Sequence, residues 1–162
     1  MTGVLFNTDD SLATIVDELS ESFGTIRMTG TPYRFDQTDY YEDEMGESLS
    51  RVWVVFEELV DQEDLVRHKK TTMELEDQFA DSSGNRRYNI DPGHVTGARF
   101  VLASRKNHCQ RIYLGDGVYA EVTLYFEEGE WKTFPKTYPD LQEPEQHNWL
   151  MKARDHWLAQ CT

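Results

Sequence analysis

The sequence predicts an α+β protein: a ferredoxin-like βαββαβ core extended by a β-meander and a C-terminal helix. Three observations predict it. Strand-like and helix-like apolar patterns alternate in that order between residues 4 and 90. Closely spaced glycine turns then separate short β-prone runs between residues 111 and 134, and a helical stripe follows Pro144.

Val4 to Phe6 reads as a short buried strand. Leu12, Ile15, Val16, Leu19 and Phe23 recur at helical spacing after the cap candidates Thr8 to Asp10, and Gly24 stops that helix. Thr25 to Thr29 reads as the second strand. Thr31 to Glu47, aromatic and acidic and punctuated by Pro32 and Gly46, reads as a long functional or covering loop with one helical turn at most. Arg51 to Glu57 is apolar on both faces, which makes it a central strand covered on each side. A second helix runs from the cap Asp61 to Ser82-Ser83-Gly84, with Leu65, Thr72, Leu75 and Phe79 inward, and Tyr88 to Ile90 is the next strand.

Asp91-Pro92 has the chemistry of a helix start, since Asp caps and Pro suits the first helical position, so a third helix is predicted there; Val101 to Ser104 reads equally well as strand. Strands at 111–114, 118–126 and 131–134 follow, joined by Gly115-Asp116-Gly117 and Glu128-Gly129 turns. Leu150, Ala153, Trp157 and Cys161 then mark the inner face of a last helix.

Length and composition bound the function. A chain of 162 residues fits one domain over residues 1–162 with one core, burying roughly 70% of the surface its unfolded chain exposes. Two cysteines, Cys109 and Cys161, make neither a disulfide framework nor a zinc pattern and suit a reducing, cytoplasmic setting. No apolar run has signal-peptide or membrane-span length. The net charge of -14 argues against direct binding to nucleic acid or anionic lipid. Yet residues 86–111 carry six bases against one acid, a local +5 that leaves -19 for the rest.

Chemistry concentrates around that basic stretch and the hairpin after it. With Gly115 to Gly117 as the loop, Leu114 faces Val118, Tyr113 faces Tyr119 and Arg111 faces Glu121. Val118, Ala120, Val122, Leu124 and Phe126 then form the core face. Arg111, Tyr113, Tyr119, Glu121, Thr123 and Tyr125, with Lys132, form a face that is either solvated or the wall of a polar pocket. Arg86, Arg87, Lys106, His108 and Arg111 suit a phosphate or carboxylate; equally, they neutralise the acidic remainder. Asp36, Asp39, Glu42, Asp43, Glu44 and Glu47, beside Tyr33, Tyr40 and Tyr41, form the opposite extreme; their spacing matches no calcium loop, and no metal site is assigned to them. His68, on the inner stripe of the second helix, reads as a packed histidine. Phosphate-loop, dinucleotide and nucleophile-elbow motifs are absent.

Five segments resemble, in order, the bacterial domain-of-unknown-function family numbered 4416. They are Thr38-Asp39-Tyr40-Tyr41 through Met45-Gly46, Phe56-Glu57-Glu58-Leu59-Val60, Asn89-Ile90-Asp91-Pro92-Gly93, Arg111-Ile112-Tyr113-Leu114-Gly115 through Tyr119-Ala120-Glu121-Val122-Thr123, and Thr137-Tyr138-Pro139-Asp140. The resemblance implies ancestry and carries no established reaction. Some relatives bear the label GTP-binding protein, for which this chain has no phosphate loop. Where the family tends to place a His before the Arg-Ile-Tyr-Leu-Gly segment, this chain has Gln110; if that position carries proton transfer in relatives, this member is either impaired or relies on His108.

Three functions are consistent with these residues, and none implies a particular cofactor. The first is binding or conversion of a small anionic ligand, phosphate-bearing or a nucleotide, where the 89–93 turn meets the 106–123 hairpin. Lys106 and Arg111 hold the anion, Tyr113 and Tyr119 frame it, and His108, Glu121 and Asp91 are the proton-transfer candidates. The second is a non-enzymatic interaction protein whose acidic, tyrosine-rich 33–47 segment meets a basic partner. The third is a metal-dependent hydrolase built from the same acids. A membrane partner is not expected.

Overall fold

Thr2–Asn7 (β1) pairs antiparallel with Leu49–Phe56 (β4), setting Val4 opposite Val52 and Leu5 opposite Arg51. Ile26–Thr29 (β2) and the two-residue Tyr33–Arg34 (β3) share the other edge of β4. The computed structural model describes residues 1–161 and forms two compact units. The first unit comprises Met1–Glu58 and Lys70–Asp91. Its strands lie in the order β2, β4, β1, β5, where β5 is Tyr88–Val95.

With Leu12–Phe23 (α1) after β1 and Leu65–Gln78 (α3) before β5, this order is the ferredoxin-like arrangement, and β4 is its central strand. Period-two alternation sorts the side chains. Val4, Phe6, Val52 and Val54 face Ile15 and Leu19 of α1 and Leu75 of α3, with Tyr88 and Ile90 completing that core. The opposite face, with Leu5 and Leu49, is closed by Phe35, Tyr41 and Met45. The 31–47 segment is therefore a cover, and its helical turn is Glu42–Met45 (α2). Gly3 is required here: a Cβ on it would lie 2.5 Å from the Trp53 ring. The cap of α1 is Ser11, whose side chain accepts from the Thr14 N–H, one residue beyond the Thr8 to Asp10 candidates.

The second unit comprises Leu59–Lys69 and the chain from Pro92 onward. Arg99–Ser104 (β6) pairs antiparallel with the end of β5 and with Val118–Glu127 (β8). Ile112–Gly115 (β7) and Glu130–Thr133 (β9) both pair with β8. Tyr119 pairs with both Ser104 and Tyr113, and Tyr125 with both Arg99 and Lys132, so β7 and β9 lie end to end on the edge of β8 opposite β6. A ten-residue β8 is long enough to hold both. Pro144–Cys161 (α4) buries Leu150 and Ala153, while Trp157 is half-buried and Cys161 is exposed, so the predicted stripe ends early.

Two sequence expectations change. Asp91-Pro92 opens no helix; it lies inside β5, and the 89–93 segment is strand rather than turn. Pairing with β6 outweighs the local cap signal, and Gly93 permits it, because a Cβ there would sit 2.2 Å from the Val101 carbonyl oxygen. The face assignment of β8 also changes. Phe100 pairs with Leu124 but Val101 pairs with Val122, so a bulge at Thr123 resets the alternation. Glu121 and Thr123 are buried, and Val122 is 41% exposed.

Candidate functional site

The strongest polar constellation in the second unit centres on Arg111, immediately before β7. Its loop is tighter than expected: Gly115 pairs with Val118, leaving Asp116 and Gly117 as a two-residue turn with φ of 50° and 74°. Positive φ at both positions matches the right-handed twist of the flanking strands. A register shift between Tyr113 and Gly115 absorbs the difference, so Tyr113 still faces Tyr119. Arg111 therefore still reaches Glu121.

Their ion pair is interior. Arg111 Nε donates to Glu121 Oε2 at 2.6 Å, and the two side chains are 2% and 4% exposed. One terminal nitrogen of Arg111 donates to Ser104 Oγ at 2.6 Å and to the Lys106 carbonyl at 3.0 Å; the other donates to the Tyr138 hydroxyl at 2.6 Å. Gln110 adds a bond to Glu121 Oε2 at 3.3 Å. Burial works against the guanidinium charge, but Glu121 and Tyr138 outweigh it and hold Arg111 above its ordinary pKa. This fork binds strand, loop and the 3-10 turn Pro139–Gln142 through the residue before it, and four of its five N–H groups are committed inside the protein.

The other predicted site residues divide. The Tyr113 and Tyr119 rings lie 5.2 Å apart, with Tyr113 outermost. Lys106 is half-buried and anchored through its carbonyl, while His108 is exposed, its carbonyl accepting from the Arg111 N–H at 3.0 Å. Asp91 belongs to the first unit, where it accepts from Asn89 Nδ2 at 2.9 Å. Arg86 and Arg87 also lie in the first unit and are occupied by acids.

Arg86 is the centre of a second constellation, which sequence reasoning missed. Its Nε and one terminal nitrogen grip both oxygens of Glu44 at 2.8 and 2.7 Å, and its backbone N–H donates to Glu44 Oε1 at 3.0 Å. The other terminal nitrogen donates to Asn89 Oδ1 at 2.8 Å and lies 3.6 Å from Glu76 Oε2. Glu76 in turn accepts the Ile90 N–H at 2.6 Å. The bidentate hydrogen bonds from Arg86 hold Glu44 below the ordinary carboxylate range and, reciprocally, raise Arg86. Arg87 pairs with Asp10. Three of the six bases in residues 86–111 thus neutralise internal carboxylates.

Three further positions went unread. Ser104 and Tyr138, partners of Arg111, carry no motif of their own, although Tyr138 lies in one of the five resembling segments. Arg51 is buried, with its guanidinium carbon 4.2 Å from the centroid of Phe35.

The acidic segment keeps its charge outward. Asp36, Asp39, Glu42, Asp43 and Glu47 are exposed, and Tyr40 is 61% exposed; Glu44 is the one turned to Arg86. Among the described residues no group of three or more His, Cys, Asp or Glu side chains is placed to hold a metal ion, and no helix is long and apolar enough to cross a membrane.

No curated protein and no solved structure matches this chain. Residues 1–157 match the family model described as a domain of unknown function, DUF4416, and that span covers both constellations, so the chain belongs to this family.

Proposed function

We propose that the protein is a non-enzymatic interaction protein that presents its acidic, tyrosine-bearing 33–47 segment to a basic partner. The observation that carries this reading is a fixed display of charge. Five exposed carboxylates and Tyr40 sit on a segment whose Phe35 and Met45 are buried and whose Glu44 is clamped by Arg86. Such a segment loses little conformational freedom on binding, and its carboxylates meet lysine or arginine side chains without first being ordered. Tyr40 adds an aromatic face for a guanidinium. A basic partner such as a ribosomal or nucleic-acid-binding protein has the required chemistry.

Fluorescence anisotropy with oligo-lysine and oligo-arginine peptides tests this reading. Binding that weakens with salt and falls at least about tenfold in Asp39→Asn/Glu42→Gln/Asp43→Asn is expected. Binding unchanged by that triple substitution overturns it.

A specific feature supports a second reading, a small-anion site on the 105–110 loop. Arg111 fixes this loop through Ser104 and the Lys106 carbonyl, and Arg105 and His108 stand exposed on it. Phosphate or a nucleotide would then raise the melting temperature by mass action, and Lys106→Ala would remove the shift. A flat response across phosphorylated compounds leaves the acidic surface as the better account.

A further inference from the structure

Between Asp91 and Asp116 the chain carries no acid, although 30 of its 162 residues are Asp or Glu, and four bases fall in that interval: Arg99, Arg105, Lys106 and Arg111. Arg111 is committed inside the protein. Arg105 is the reverse: its side chain is exposed, and its guanidinium makes no hydrogen bond or ion pair among the described residues.

Strand register decides where that guanidinium goes. Ser104 pairs with Tyr119, which pairs in turn with Tyr113, so residue 105 leaves β6 beside the Asp116–Gly117 turn. Arg105 Nη2 lies 3.8 Å from the point a Gly117 Cβ would occupy, and the Gly117 N–H donates to the Tyr113 hydroxyl at 3.3 Å. One uncommitted guanidinium and one tyrosine thus meet at the same turn. The Tyr113 ring is already ordered: Tyr119 lies against it with centroids 5.2 Å apart, and its hydroxyl is tied to the turn, yet the residue is 58% exposed.

We infer that Arg105 and Tyr113 together bind a small anion carried on a planar ring, of the chemical class of an aryl phosphate. The inference rests on the small-anion reading of the 105–110 loop and adds the ring to it. A guanidinium fork matches phosphate oxygens, and an aromatic ring fixed on one side offers its other face for stacking with little further loss of freedom. A bare phosphate uses Arg105 alone, and an uncharged ring uses Tyr113 alone. Asp116 on the same turn opposes a bare anion, so the ring contact supplies what charge alone does not.

Nuclear magnetic resonance titration of the full chain with phenyl phosphate and with inorganic phosphate, at one ionic strength, tests the inference through the backbone amides of Gly117 and residues 105–110. Phenyl phosphate should bind about tenfold more tightly than phosphate. Arg105→Gln should weaken phenyl phosphate binding by about tenfold. Tyr113→Leu should bring phenyl phosphate down to the level of phosphate while leaving phosphate itself unchanged. Tyr113→Phe, which keeps the ring and loses only the hydroxyl, should preserve the preference. Equal affinity of the parent protein for the two ligands overturns the ring contact and leaves the small-anion reading standing, whereas no binding of either overturns both. A preference that survives Tyr113→Leu, or binding that survives Arg105→Gln, puts the ligand elsewhere and also overturns the inference.

Discussion

Arg86 and Arg111 are two answers to the same problem, a guanidinium taken out of water. Arg111 and its carboxylate are 2% and 4% exposed, while Arg86 and Glu44 are 27% and 31% exposed. Arg111 binds four different residues, each through a separate N–H; Arg86 spends most of its fork on a single carboxylate. The difference teaches what each can do. A charge buried with no water must keep its partners, so Arg111 is a structural pin for the 104–111 loop. The Arg86 pair, still wetted, fastens α2 and the acidic cover at lower cost and with less at stake.

The largest effect follows from breaking the drier pair. Arg111→Ala leaves Glu121 charged, buried and without its main donor, which costs about 3 to 5 kcal/mol and should bring urea-induced unfolding to a much lower midpoint. Removing both charges in Arg111→Met/Glu121→Leu should recover most of that loss, since the desolvation penalty disappears with the pair. If the double substitution is as damaging as the single one, the pin acts through Ser104 and Tyr138 rather than through charge.

A second effect in the same unit depends on pH. His94 Nδ1 is buried and has no hydrogen-bond partner among the described residues, and burial lowers the imidazole pKa to about 4. The unfolded chain takes up this proton near the ordinary value of about 6.5, whereas the folded chain resists it until about 4, so stability falls as pH drops through that window. The loss amounts to roughly 2 to 3 kcal/mol. His94→Leu should flatten the acid limb of a stability profile between about pH 6.5 and 4. An unchanged limb would assign the acid sensitivity to carboxylates.

Much of this architecture was legible from residues, and the failures share one cause. The helix, strand and turn signals up to Ile90 gave the ferredoxin-like order because each is local: a cap, a period, a glycine stop. The meeting of Arg111 with Glu121 was legible as well, although the turn is one residue tighter than read and a register shift between Tyr113 and Gly115 restores the alignment. Its burial was not. The bulge at Thr123 is set by β6, a neighbour that no pattern within β8 reveals, and it turned Val122 outward and Glu121 inward. The helix read at Asp91-Pro92 failed for the same reason, because β6 held that segment as strand. Contacts between distant segments, such as Glu44 with Arg86 or Arg111 with Tyr138, leave no trace in spacing. Thus the basic stretch that read as an anion site proved, in three of its six bases, to be already spoken for by internal acids.

The smallest effect tests the wetter half of the comparison. The hydrogen bonds from Arg86 lower the Glu44 pKa below its usual value of 4.5, so the folded protein holds that carboxylate ionised where the unfolded chain begins to protonate it. The stabilisation is therefore fully present above about pH 4.5 and is lost as pH falls through the lowered value. Partial exposure to water limits its size to about 1 kcal/mol. Glu44→Gln should cost that amount at neutral pH, remove this contribution to the acid limb, and leave the His94 window untouched because it lies at higher pH. The same substitution frees one anchor of the acidic cover while Phe35 and Met45 remain buried, so binding to a basic peptide should weaken only slightly. A loss of binding as large as that caused by neutralising Asp39, Glu42 and Asp43 would mean that fixing the segment matters as much as its charge.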